Sequence, residues 1–222
     1  MIGVMKKFKT ASPAVKASMA LLFANLILKG LSLISGPIFT RIMPTDQYGI
    51  VSTFQSWQSL LAVIVTLNLS QGVFNNGMLE FKENRDQFEF ALVVITVVCT
   101  GLFLLIFEIF KTSLLNMFEM PLVMVYIMAL YFLFVPAYQF WSGRQRYEYK
   151  YKALSIVTVC IGLFSLLLGV LFVLNVSSGK EAIARVYAME GVNIAVGIFF
   201  FVIIAVKAKF KLRIEYCIYA LK

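Results

Sequence analysis

The chain has no histidine, only three cysteines in 222 residues, and only 14% charged residues. Without histidine there is no imidazole general base, no His-activated nucleophile and no His-containing metal site. Cys99, Cys160 and Cys217 lie far apart, the first two inside apolar runs. Neither a CxxC pair nor a disulfide framework is present, and the thiols read as small buried hydrophobes. HExxH, P-loop and GxSxG motifs are also missing. Glu108 and Glu119 stand near a membrane edge rather than as a paired acid and base. An enzyme is therefore not expected, and neither is a cofactor.

What fills the chain is hydrocarbon. Hydrophobic residues make up 61%, and Phe alone occurs 21 times. A soluble domain is roughly 45–50% apolar and about 25% charged. This composition belongs in a bilayer, as an all-α integral membrane protein. A run of about 18 or more mostly apolar residues is long enough to cross a core of about 30 Å at 1.5 Å per residue. Six such runs are expected as spanning helices: 15–39, 50–74, 88–110, 121–142, 153–175 and 184–206. They leave a basic N-terminal segment over 1–14 and a basic tail over 207–222. Residues 1–14 precede a first run that is long, carries Asn25 and Lys29, and lacks a small-x-small cleavage site. That run is therefore expected to be a retained first helix, with Ser12 as N-cap and Pro13 at the first helical position.

The net charge of +9 is distributed unevenly. With the N-terminus in the cytoplasm, fifteen of the twenty Lys and Arg fall on the cytoplasmic side of the six runs. Four fall outside (Arg41, Lys111, Lys180 and Arg185), and Lys29 lies within the membrane. This is the positive-inside pattern, and it places both termini in the cytoplasm. It accounts for the basic composition without a nucleic-acid partner. The loop GRQRYEYKYK (143–152) alternates charge and tyrosine. It reads as an interfacial turn with snorkelling bases, or as a platform for an anionic headgroup or a substrate arriving from the cytoplasm.

Polar residues inside the runs fall into stripes. At about 100° per residue, Ser18, Asn25, Lys29, Ser32 and Gly36 share one face of the first helix. Ser52, Gln55, Ser59, Ala62 and Thr66 share one face of the second, and Glu190, Asn193 and Gly197 make a shorter stripe in the sixth. Small and polar residues of this kind glue membrane helices together without any cavity. Intramembrane charges, however, usually face a cavity or each other. Helices one, two and six are thus expected to line something wet. Lys29 and Glu190 come to similar depths, which makes a resting Lys29–Glu190 pair possible.

The hairpin GPIFTRIMPTDQYGI (36–50) has a Pro, then an Arg four residues later, and a Tyr-Gly pair opening the second helix. Pro44 is expected to stop the helix, Asp46 to cap the next one, and Gly49 to ease the turn. This hairpin resembles the first hairpin of Wzx-type polysaccharide flippases of the MOP superfamily. The segments NLSQGVFNNGMLEFKENRDQF (68–88) and FWSGRQRYEYKYKAL (140–154) resemble that family's loops after helices two and four. The resemblance covers nearly the whole chain. It implies one six-helix lobe of a MATE-like transporter in the bacterial inner membrane. The implied function is flipping a polyprenyl-pyrophosphate-linked oligosaccharide to the outer leaflet for polysaccharide biosynthesis. The implied partners are that lipid-linked substrate, membrane lipids, and a second six-helix lobe or a homodimer. The family has twelve or more helices, so the chain reads as an N-terminal half, with KLRIEYCIYALK resembling the linker and first residues of a seventh helix. Expected substrate-binding residues are Lys29, Asn25, Arg41, Gln55, Glu190 and Asn193. Two alternatives stay open: an ion-coupled multidrug exporter of the same superfamily, and a non-transporting scaffold subunit of a glycan-assembly complex.

Overall fold

The computed structural model describes residues 13–221. Ser12 and most of the basic N-terminal segment lie outside the described residues. Every regular element among those described is a helix: α1 (Pro13–Ile42), α2 (Thr45–Val65), α3 (Gly72–Glu80), α4 (Arg85–Ile109), α5 (Lys111–Phe118), α6 (Leu122–Tyr147), α7 (Tyr151–Asn175), α8 (Glu181–Lys207) and α9 (Ile214–Ala220).

Five of these are long and apolar enough to cross a membrane: α1, α4, α6, α7 and α8. The second expected span is different. Its helix covers 45–65 instead of 50–74, and its polar stripe leaves it short of the apolar content of the other five. At Thr66 the side-chain hydroxyl bonds back to the Ala62 carbonyl at 2.7 Å, and Leu67 and Asn68 turn left-handed at φ 51 and 47°. Left-handed backbone costs a residue such as leucine about 1–3 kcal/mol, so the surrounding fold must hold this turn in place. The helix restarts as α3.

The α1–α2 hairpin is built more simply than expected. Pro44 lacks an amide N–H and takes extended backbone (φ −57°, ψ 149°), which redirects the chain. Asp46 makes no capping bond. Its carboxylate accepts from Gln47 Nε2 at 3.1 Å and sits in the first turn of α2, where negative charge suits the helix dipole. Gly49 lies inside α2 with open space where a Cβ would stand, so it plays no part in the turn.

The centre of the bundle is α8. It packs most extensively on α6 and α7, while α1 lies against α7 and α4 against α6. The closest approach is at Gly197, where a Cβ would lie 2.7 Å from the Phe134 carbonyl carbon. Small residues at such crossings let membrane helices pack backbone to backbone. The α2 helix runs beside α8. The Ala182 amide donates to Gln47 Oε1 at 3.3 Å at one end, and Gln55 meets Met189 further along.

Two aromatic-rich cores fill the bundle. One, around Phe54, Phe107, Phe118 and Phe132, lies beneath the α1–α2 turn. The other, around Phe74, Phe88, Phe140 and Phe200, lies towards the basic end. At that end Arg144 bonds to carboxylates on two helices: Asp86 and Glu89 of α4, and Glu148 just beyond α6. Glu148 also pairs with Lys150 at 2.6 Å. The tail carries the short helix α9. It turns at Lys209 and Phe210 (φ 53° each), and α9 folds back on α4, burying Tyr216 beside the rings of Phe81 and Phe88.

Candidate functional site

After the Pro44 turn, α1 and α2 diverge because they pack on different partners. Leu28 and Leu31 of α1 sit over Gly162 of α7, and Phe39 sits over Gly169. The α2 helix instead packs on α8, α4 and α6. Between the two opens a cleft of about 150 Å³. Its walls include Ser32, Ser35 and Gly36 from α1, and Tyr48, Ser52 and Gln55 from α2; Arg185 of α8 forms part of the floor. The polar stripes of the first two helices therefore face one another across a real gap. No acidic residue lines it.

Arg185 ties the cleft together. Its Nη1 donates to the Ser165 carbonyl of α7 at 3.0 Å, and its Nη2 donates to Ser35 Oγ of α1 at 3.4 Å. Its guanidinium stacks 3.8 Å from the Phe39 ring centroid. Gly169 leaves the room for it, since a Cβ there would collide with Nη1. Sequence reasoning missed this role. With a sixth run beginning at 184, Arg185 reads as an edge residue; the helix in fact begins at Glu181, which carries Arg185 a turn deeper.

The expected site residues divide into three groups. Gln55 lines the cleft, and its Nε2 donates to Met189 Sδ at 3.4 Å. Asn25 and Lys29 are exposed on the face of α1 that carries Ser32 and Gly36, one and two turns further from the Pro44 turn. Among the described residues Lys29 has no carboxylate partner. Arg41 is exposed in the last turn of α1, outside the cleft lining.

Glu190 and Asn193 form the third group. Glu190 is only 2% exposed, and its carboxylate accepts from Asn193 Nδ2 at 3.0 Å while the buried Gln58 amide faces it. The Lys29–Glu190 pair does not form. Depth along the membrane was the wrong criterion: α1 stands against α7, whereas Glu190 points inward towards α2 and α6. The cation that acts on Glu190 is Arg185. Among the described residues no cluster of Cys, Asp and Glu is arranged to hold a metal ion.

Comparison with protein-family models, with curated proteins and with solved structures finds no match for this chain.

Proposed function

We propose that this chain is one lobe of a flippase that moves a polyprenyl-pyrophosphate-linked oligosaccharide across the bacterial inner membrane. The observation that carries this reading is the acid-free cleft between α1 and α2, with Arg185 in its floor and Lys29 on the same face of α1. An isolated ammonium in hydrocarbon is expensive, but a water-lined path reduces that cost and leaves the cation free to meet an anion. A guanidinium and an ammonium along one path suit the oxygens of a pyrophosphate. The flank suits the lipid chain: Leu33, next to the cleft residue Ser32 on α1, is 78% exposed, so bare hydrocarbon lies beside the cleft.

In this reading α2 is a sixth span whose polarity is tolerated because its stripe faces the path. Its contacts with α8 from Ala182 to Met189 support that depth. The positive-inside pattern puts the ends of the lobe in the cytoplasm. The path opens outward, so it needs a second wall, either another six-helix lobe or a second copy of this one. An exporter of cationic drugs is disfavoured, because Glu190, a buried acid near the cleft, is turned into the bundle.

The test is reconstitution of the chain, with its second wall, in liposomes carrying a fluorescent polyprenyl-pyrophosphoryl sugar. Lys29→Arg is expected to retain translocation. Lys29→Gln is expected to lose roughly 10- to 100-fold, the worth of one charge-assisted hydrogen bond of about 1.5–3 kcal/mol. Equal rates for Gln and Lys at position 29 would remove the cation from the mechanism. No translocation by any variant, with assembly into a glycan-synthesis complex intact, would favour the scaffold instead.

A further inference from the structure

A cavity larger than the α1–α2 cleft lies elsewhere, at the basic end of the bundle. It measures about 630 Å³ and is framed by the end of α2, the turn into α3, the second half of α6 and the first half of α7. Small-molecule sites typically occupy about 300–1,000 Å³, but most are lined chiefly by apolar groups. This one is lined by amides, hydroxyls and tyrosines. Asn68, Gln71, Asn75 and Gln139 all line it, and among the described residues no hydrogen bond engages any of these four side-chain amides. Each carries two N–H donors and an acceptor oxygen.

The charge in this cavity is equally telling. Among the described residues no carboxylate lines it and its cation is Arg146, whose Nη2 donates to Ser142 Oγ at 3.2 Å. Among the described residues Arg146 has no carboxylate partner, whereas Arg144, two residues earlier and on the opposite side of the same helix, has three. The loop that alternates charge and tyrosine is thus divided: Arg144 clamps helices together, and Arg146 with Tyr147 faces an open, polar space. A guanidinium left without a counter-ion among free amides is matched to a ligand rich in hydroxyls that carries one acidic group.

We propose that this cavity between α2, α6 and α7 binds a sugar unit bearing a single acidic substituent, with Arg146 on the acid and the four amides on the hydroxyls. The inference rests on the transport reading for its purpose, since it would make the glycan an acidic one that is gripped where it joins the lobe. Binding itself is measured without transport, so the two readings fail separately.

The experiment uses the purified full chain in zwitterionic detergent, with binding followed by saturation-transfer NMR. The probes are cellobiouronic acid, its neutral counterpart cellobiose, glucose 1-phosphate and inorganic phosphate. The acidic disaccharide is expected to bind at least tenfold more tightly than cellobiose. Arg146→Gln should erase that difference, and Gln139→Leu should weaken both disaccharides. Tighter binding of glucose 1-phosphate than of cellobiouronic acid would assign the acidic group as a phosphate and leave the proposal standing. Three results would overturn it: equal binding of the acidic and neutral disaccharides, inorganic phosphate competing as well as the sugars, or displacement of the sugar by phosphatidylglycerol but not phosphatidylcholine. Arg146 is an exposed side chain, so its substitution should leave the thermal unfolding midpoint unchanged. If it does not, Gln139→Leu alone decides: unaltered sugar binding there counts against the site.

Discussion

At the scale of single residues, the informative contrast is between two charges. Lys29 is exposed without a carboxylate partner among the described residues, and Glu190 is buried in a cage of amides. Membrane depth suggests that they meet, but the packing of α1 on α7 keeps them on different faces of the bundle. This gives a sharp expectation for the charge swap Lys29→Glu with Glu190→Lys. A structural ion pair would survive the swap. Here the swap puts a lysine among Asn193 and Gln58, near Arg185, with no anion to offset it. Breaking a buried charge pairing in this way costs about 3–5 kcal/mol. The double variant should therefore unfold at markedly lower temperature in detergent and translocate nothing. Wild-type stability in the swapped protein would mean that the two side chains are in contact after all.

At the scale of elements, the bundle depends on α8 approaching α6 closely at Gly197. A methyl group there meets the backbone of Phe134 and Val135, which cannot move aside as a side-chain tip could. Overpacking of this kind costs about 1–3 kcal/mol. Gly197→Ala should lower the thermal unfolding midpoint. Gly191→Ala is the control on the same helix: its Cβ meets open space, and replacing a helical glycine by alanine is worth about 0.5–1 kcal/mol of stability. The two substitutions should shift the midpoint in opposite directions in parallel melts. If Gly197→Ala is neutral, the α6–α8 crossing is looser than described.

At the scale of the whole molecule, the charge asymmetry and the helix order together fix an expected topology. The α7–α8 turn should face outside and the α6–α7 loop the cytoplasm. Ser178 in that turn and Lys152 at the start of α7, beside that loop, are both exposed. In a background lacking Cys99, Cys160 and Cys217, Ser178→Cys should react with a membrane-impermeant maleimide applied to intact cells. Lys152→Cys should react only after permeabilisation. Reversed labelling would invert the protein. Labelling of both sites from outside would mean that α7 does not cross the membrane.

The sequence by itself determined the class of the molecule. Long apolar runs have no stable place in water, and five of the six expected ones are helices long and apolar enough to span. It also determined which faces are polar, because helical periodicity is local: Ser32, Gly36, Ser52 and Gln55 were legible as stripes and do face a common cleft. Pairing between helices was not legible. Whether α1 rests on α7 or on α8 depends on where glycines such as Gly162 and Gly169 open a groove for Leu28 and Phe39, and that is a property of two surfaces together. The same holds for Arg185, whose importance follows from three helices converging on its guanidinium. It holds too for the end of α2, where no proline or glycine marks the break at Val65; Leu67 takes a left-handed backbone that leucine does not favour, next to Asn68, which tolerates it. Local pattern decides what each helix is, and only the tertiary structure decides which charges meet, because meeting requires two helices and periodicity describes one.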